Sequence, residues 1–176
     1  EILIDGINVN NIKIESLRRN IGQMLQDVFL FSGTIKTNIN LRDDSISDED
    51  IIAACEYVNA DQFINKLPKG LDEEVNEGGN NFSSGQRQLL SFARTVVHKP
   101  QILILDEATA NVDPENEKQL QEAIDELTRN KTIIMIAHRL KTVRNADQIL
   151  VVENGEIVQR GNHNELIKKD GIYKRF

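Results

Sequence analysis

The chain opens on apolar residues broken by turn chemistry. Residues 1–4 (Glu-Ile-Leu-Ile) and 7–9 (Ile-Asn-Val) flank the pair Asp5-Gly6, which predicts a β-hairpin. A short helical stretch at about 14–19 and a strand at 21–25 follow, and the loop 26–33 ends that strand. From 34 to 98 the apolar period becomes helical. Ser47 and Asp50 give a capping-box pattern, with Asp in place of the preferred Glu or Gln, ahead of the stripe Ile51, Ile52, Cys55 and Val58. A second short helix at about 61–67 stops before Pro68 and Gly70. The Gly- and Asn-rich loop 76–81 leads to Phe82-Ser83-Ser84-Gly85-Gln86. The helix that starts there carries Leu89, Leu90, Ala93, Val96 and Val97 on one face and ends at Lys99-Pro100.

After Pro100 the texture changes. Residues 102–105 are continuously apolar, as in a strand covered on both faces. Asp113-Pro114 opens a helix, with Asp as N-cap and Pro in its first position, and with Leu120, Ala123, Ile124 and Leu127 as its core face. Residues 132–137 read as a second buried strand. A hairpin at 148–152 and 156–159 turns on Asn154-Gly155, and a helix at about 164–169 closes the chain. No internal repeat or low-complexity tract is visible. Strand–helix–strand order predicts an α/β fold with a mainly parallel sheet and a helical region inserted between Thr34 and Lys99. Such sheets bind ligands at the carboxyl ends of their strands. That singles out Gln26, Asp106 with Glu107, and His138.

Composition narrows the class. The chain has 176 residues, 39% hydrophobic and 28% charged, which is that of a folded globular chain. Its 21 basic and 28 acidic residues give a net charge of −7, against a nucleic-acid partner. Cys55 is the single cysteine, which excludes an internal disulfide and a four-cysteine zinc site and fits a reducing compartment. The longest apolar runs fall far short of the roughly 20 residues that span a bilayer, and no signal peptide is visible. The chain starts with Glu inside a strand pattern, which suggests an N-terminal truncation.

Each candidate has a bland alternative when taken alone. Asp106 suits Mg²⁺ and Glu107 suits activation of a water, yet an acidic turn after a buried strand is common. His138 can hydrogen-bond a transferring phosphate or simply cap a turn. The Gln26 amide can ligate Mg²⁺ or lie exposed at a strand end. Ser83, Ser84 and Gly85 open a helix, where N–H groups and the positive dipole end attract anions, but where Ser also serves as an ordinary cap. Asp113 reads as an N-cap at least.

Taken together these residues resemble the ATP-binding domain of ATP-binding-cassette (ABC) transporters. Phe82-Ser83-Ser84-Gly85-Gln86-Arg87-Gln88 resembles the family signature, and 102–109 the Walker B strand with its catalytic carboxylate. Residues 110–113 resemble the D-loop, His138 the switch histidine and Gln26 the Q-loop glutamine. The stretches 26–35 and 73–79 are similar to the exporter branch, particularly bacterial multidrug or lipid exporters. The resemblance implies a P-loop NTPase (RecA-like) parallel sheet core, incomplete at the N-terminus, with an inserted helical subdomain. Its parts would be 1–33 (core with Q-loop), 34–98 (helical subdomain with the signature) and 99–176 (core with Walker B, D-loop and switch histidine).

The resemblance also implies roles. Two ATPase domains would meet head to tail around ATP and Mg²⁺, at the cytoplasmic face of a bacterial cell membrane and joined to a transmembrane domain, which would set the transported substrate. Asp106 and Gln26 would act on Mg²⁺, Glu107 as general base, and His138 on the γ-phosphate. Ser83, Ser84, Gly85, Gln86 and Asp113 would contact the nucleotide held by the partner domain. Two departures qualify this. No Gly-x-x-x-x-Gly-Lys-Ser/Thr stretch lies within the 176 residues, so this chain alone is expected to bind ATP poorly, to be inactive and to expose a sheet edge and an apolar face. Ser84 stands where the signature usually has Gly, and Ala110-Asn111-Val112 where the D-loop usually has Ser-Ala-Leu. The altered signature and D-loop beside an intact Glu107 resemble one half of a heterodimeric exporter, whose two ATP sites are unequal. The competing reading is a non-catalytic cassette that serves as a dimerisation module. A soluble ABC ATPase acting on DNA or ribosomes is disfavoured by the charge and by the lack of a coiled-coil insertion or tandem cassette.

Overall fold

The computed structural model describes residues 1–106, 114–128, 131–137 and 139–176, with backbone alone for 114–120 and 141. The chain divides into two compact units, Glu1–Ile136 and Ala137–Phe176.

In the first unit, β1 (Leu3–Ile4) and β2 (Ile7–Asn8) form the expected hairpin. Asp5 and Gly6 both adopt positive φ, 47° and 77°, as that turn requires. Helix α1 (Ile14–Asn20) leads into β3 (Ile21–Met24). The helical region holds α2 (Ile35–Ile39), α3 (Asp48–Tyr57), α4 (Asp61–Ile64) and α5 (Ser84–Val97). A feature unseen in the sequence interrupts it: β4 (Gly33–Thr34) pairs antiparallel with β5 (Glu74–Val75). Two-residue strands leave no alternation to read, so only tertiary pairing reveals them. Ser47 caps α3 by accepting from the Asp50 N–H at 3.1 Å. The shorter Asp50 carboxylate instead accepts from the Ser47 hydroxyl and pairs with Lys99 at 2.7 Å. These contacts, Lys99 first, hold its carboxyl below the usual range.

After α5 come β6 (Ile102–Asp106), α6 (Pro114–Leu127) and β7 (Thr132–Ile136). The sheet runs β3-β6-β7, and both pairings are parallel. In-register neighbours share a face, so Gly22, Met24, Leu103, Leu105, Ile133 and Met135 look to one side. That side joins Leu89, Leu90, Phe92, Ala93, Ala123, Ile124 and Leu127 in one core. Cys55 lies in the same core, and burial pushes its thiol up to about 12, so it is chemically inert.

The opposite face corrects the expectation of strands covered on both sides. Ile102 and Ile104 are half-buried, and Ile134 and Ile136 are 52% and 49% exposed. The period-2 alternation carries β-branched residues to both faces, while the described core gathers on one only. Among the described residues no strand pairs with the outer edge of β7.

The second unit holds α7 (Leu140–Val143), the hairpin β8 (Ile149–Glu153) and β9 (Glu156–Gly161), α8 (His163–Leu166) and α9 (Ile172–Arg175). Asn154 and Gly155 take positive φ at the hairpin turn. Ile149, Leu166 and Tyr173 form a small core of their own, and the Tyr173 hydroxyl lies 2.9 Å from His163 Nδ1.

Gly22 is required by close approach. A Cβ there would stand 2.8 Å from both Pro100 Cγ and Thr95 Cγ2, and 3.0 Å from Leu103 Cδ2. Gly22→Ala should therefore overpack the contact between β3 and α5, costing about 1–3 kcal/mol. A denaturant titration reads this as a lowered midpoint at unchanged slope.

Candidate nucleotide and metal site

Parallel pairing fixes which polar residues converge. Met24 pairs with Leu105, and Asp106 with Ile136, so the carboxyl ends of β3, β6 and β7 form one edge. Gln26 lies two residues beyond β3 and is exposed, and Asp106 ends β6 half-buried. The fold thus brings these two expected residues to one edge from adjacent strands. Among the described residues no group of three or more His, Cys, Asp or Glu could hold a metal. An amide and a carboxylate oxygen are nevertheless the hard donors Mg²⁺ takes, since it keeps waters and phosphate oxygens for its other positions. Glu107, Asp113 and His138 lie outside the described residues. In sequence, Glu107 follows β6 directly, His138 lies two residues past β7, and Asp113 precedes α6.

The signature residues sit at the start of α5, a helix of 14 residues. Ser83 is the N-cap. Its hydroxyl accepts from the Gln86 N–H at 3.2 Å, and the Gln86 side chain accepts from the Ser83 N–H at 2.9 Å. This reciprocal box is the ordinary capping reading of the segment, and it is present. It also leaves Ser84 and Gly85, the first two helical residues, with N–H groups that have no intrahelical acceptor. The end of α5 is therefore both capped and polarised toward an anion.

The motif pattern does not predict how the loop after Gln26 is held. Asn38, 1% exposed, accepts from the Phe31 N–H at 2.8 Å and donates to the carbonyls of Phe31 and Thr34 at 2.7 and 3.0 Å. Arg94 of α5 donates to Asn38 O, Asn38 Oδ1 and Phe29 O at 2.7, 2.9 and 3.0 Å. Its guanidinium carbon lies 5.7 Å from the Phe31 ring centroid. The available signal was a lone Arg between Leu90 and Val97 on the apolar stripe of α5, and an Asn between two buried isoleucines of α2. Farther along, the Gly78 N–H donates to Leu30 O at 2.9 Å. The pairing of β4 with β5 and the Asn81 side-chain bonds to Glu74 and Asn76 then tie this loop to the segment before the signature.

Comparison with known proteins gives the family. Residues 1–110 match the family model of the ABC transporter. The chain is 50% identical over 98% of its length to a Bacillus subtilis protein named Probable multidrug resistance ABC transporter ATP-binding/permease protein YheH, and covers 26% of it. It is 47% identical, over its full length and 30% of the relative, to the ATP-dependent lipid A-core flippase of Haemophilus influenzae. Among solved structures, that of a bacterial Atm1-family ABC exporter with ATP bound matches at TM-score 0.91 and 38% identity, over 98% of this chain and 30% of that one. The chain belongs to the ABC transporter family and has the ABC ATPase fold, a P-loop NTPase fold. It corresponds to the nucleotide-binding domain of an exporter, and spans about a quarter to a third of the length of the relatives it matches.

Ser83→Ala removes the α5 cap and should cost about 1 kcal/mol. The check is a lowered unfolding midpoint, with helix content by far-UV circular dichroism unchanged below the transition.

Proposed function

We propose that this chain is part of the motor of a membrane exporter, in which ATP is hydrolysed between two head-to-tail ATPase domains. The observation that carries this reading is the convergence of Gln26 and Asp106 at the carboxyl edge of the sheet, in a chain 38% identical to an ATP-bound exporter. Asp106 and Gln26 would hold Mg²⁺, which supplies neutralisation of developing charge on the phosphates when bound. Glu107 would accept the proton of the attacking water, and His138 would hydrogen-bond the γ-phosphate. Ser84 and Gly85 would present their N–H groups, with Ser83, Gln86 and Asp113, to a nucleotide held by the partner domain. In this arrangement each chain serves two sites, with Walker B in one and the signature in the other.

A transmembrane partner is supported by the relatives named as ATP-binding/permease proteins, and by an exposed aromatic ledge beside Gln26. Phe29 and Phe31 are 51% and 54% exposed, with ring centroids 5.3 Å apart. No helix among the described residues is long and apolar enough to cross a membrane, so any spanning part lies elsewhere in the assembly. The motor would then act at the cytoplasmic face of the cell membrane. The Ser84 and 110–112 departures favour pairing with a different subunit. A full-length protein that alone forms a dimer with two equally active sites would sink that part.

The phosphate cradle would come from outside these 176 residues, so calorimetry on this chain alone should show no micromolar Mg-ATP binding. In the full polypeptide that carries this sequence, Glu107→Gln should lower the hydrolysis rate by roughly 10²–10⁴-fold while ATP still binds. Hydrolysis at the unmutated rate would overturn the assignment of Glu107 as base.

A further inference from the structure

Arg94 is placed where a charge is costly, on the buried stripe of α5. Burial lowers the pKa of its guanidinium, and its described hydrogen-bond acceptors are all neutral oxygens. Filling space there needs only Leu or Met. A rigid fork of donors does something else: it reaches the backbone of Phe29 and both oxygens of Asn38, which in turn grips Phe31. Upstream, Met24 is fully buried at the end of β3. Residues 25–28 lie between these two anchors, with Val28 packed against the core, and Gln26 is among them.

Resting on the ATPase reading above, we propose that Arg94 is a positioning residue. It pins the 29–31 backbone to α5 and so sets where the Gln26 amide stands relative to Asp106. Through the same bonds it ties that loop to the helix that begins with the signature. Loss of the Arg94 bonds removes one of the anchors that hold this stretch, and the number of backbone states open to Gln26 rises. Metal engagement at the sheet edge then weakens while the fold persists.

The test uses the full polypeptide carrying this sequence, with Arg94→Met, which keeps the stem, and Arg94→Lys, which keeps the charge but not the fork. Amide exchange over 27–33 should accelerate about 10-fold or more in Arg94→Met, with protection over 86–97 within about 2-fold of the unmutated protein. The Mg²⁺ concentration for half-maximal hydrolysis should rise about 5–10-fold, with metal-free nucleotide affinity unchanged within about 2-fold. Arg94→Lys should fall between the two in both readouts, and it carries the test if Arg94→Met does not fold. Unchanged exchange over 27–33 overturns the proposal. So does unchanged Mg²⁺ dependence, and so does exchange that accelerates equally throughout the protein, which would make Arg94 a general stabiliser. An unmutated polypeptide without Mg²⁺-dependent hydrolysis overturns the ATPase reading instead, and the exchange measurement then decides the pin by itself.

Discussion

Two strands that run parallel cannot be joined by a tight turn, and this constraint shapes the whole first unit. The chain leaves the sheet at Met24 and must return to the opposite end of the neighbouring strand at Ile102. The entire helical region, α2 through α5, lies within that single connection. Because β6 and β7 are also parallel, every strand of this sheet points its carboxyl end the same way. Residues that follow apolar runs more than 70 positions apart in sequence, Gln26 and Asp106, arrive at one edge for that reason alone.

A long excursion has to be tied back to the sheet, and side chains do most of this. The 26–34 stretch has only β4 as regular structure, paired over two residues with β5. Elsewhere its backbone groups bond to Asn38, Arg94, Thr37 and the Gly78 N–H. A hydrogen bond to a charged donor contributes on the order of 1.5–3 kcal/mol net, against roughly 1 for a neutral pair. A few such bonds stand in for a missing ladder. The arrangement also ties the loop after Gln26 to α5 through hydrogen bonds of its own.

Much of this was legible in the sequence. The Asp5-Gly6 and Asn154-Gly155 hairpins follow from turn chemistry, which acts within four residues. The apolar runs at 102–105 and 132–137 announced strands, and helical periodicity announced α3, α5 and α6. Which face of a strand is covered depends on elements distant in sequence, so the open side holding Ile134 and Ile136 could not be read from the strand itself. For the site, the order of Gln26, signature, Asp106-Glu107 and His138 was visible as motif spacing. The Asn38–Arg94 cluster was not, because its partners lie 56 positions apart and four of its acceptors are backbone carbonyls, which carry no sequence mark.

The capping box at Ser83 shows why structural and functional readings of a motif need not compete. Ser83 and Gln86 satisfy each other and hold the first turn of α5 rigid. A rigid first turn keeps the Ser84 and Gly85 N–H groups aimed in one direction, and an anion bound there meets donors that need no reorganisation. The cap hydroxyl accepts from the Gln86 N–H and can still donate its own proton to an anion without breaking the bond that orders the turn. On the proposed reading, the backbone N–H groups and the Ser83 hydroxyl would act together, with the reciprocal Ser83–Gln86 bonds fixing their geometry. On that logic a Cβ at Ser84 perturbs how closely an anion approaches but leaves the direction of the donors intact. On the proposed reading, the departure from the usual glycine is then a matter of degree.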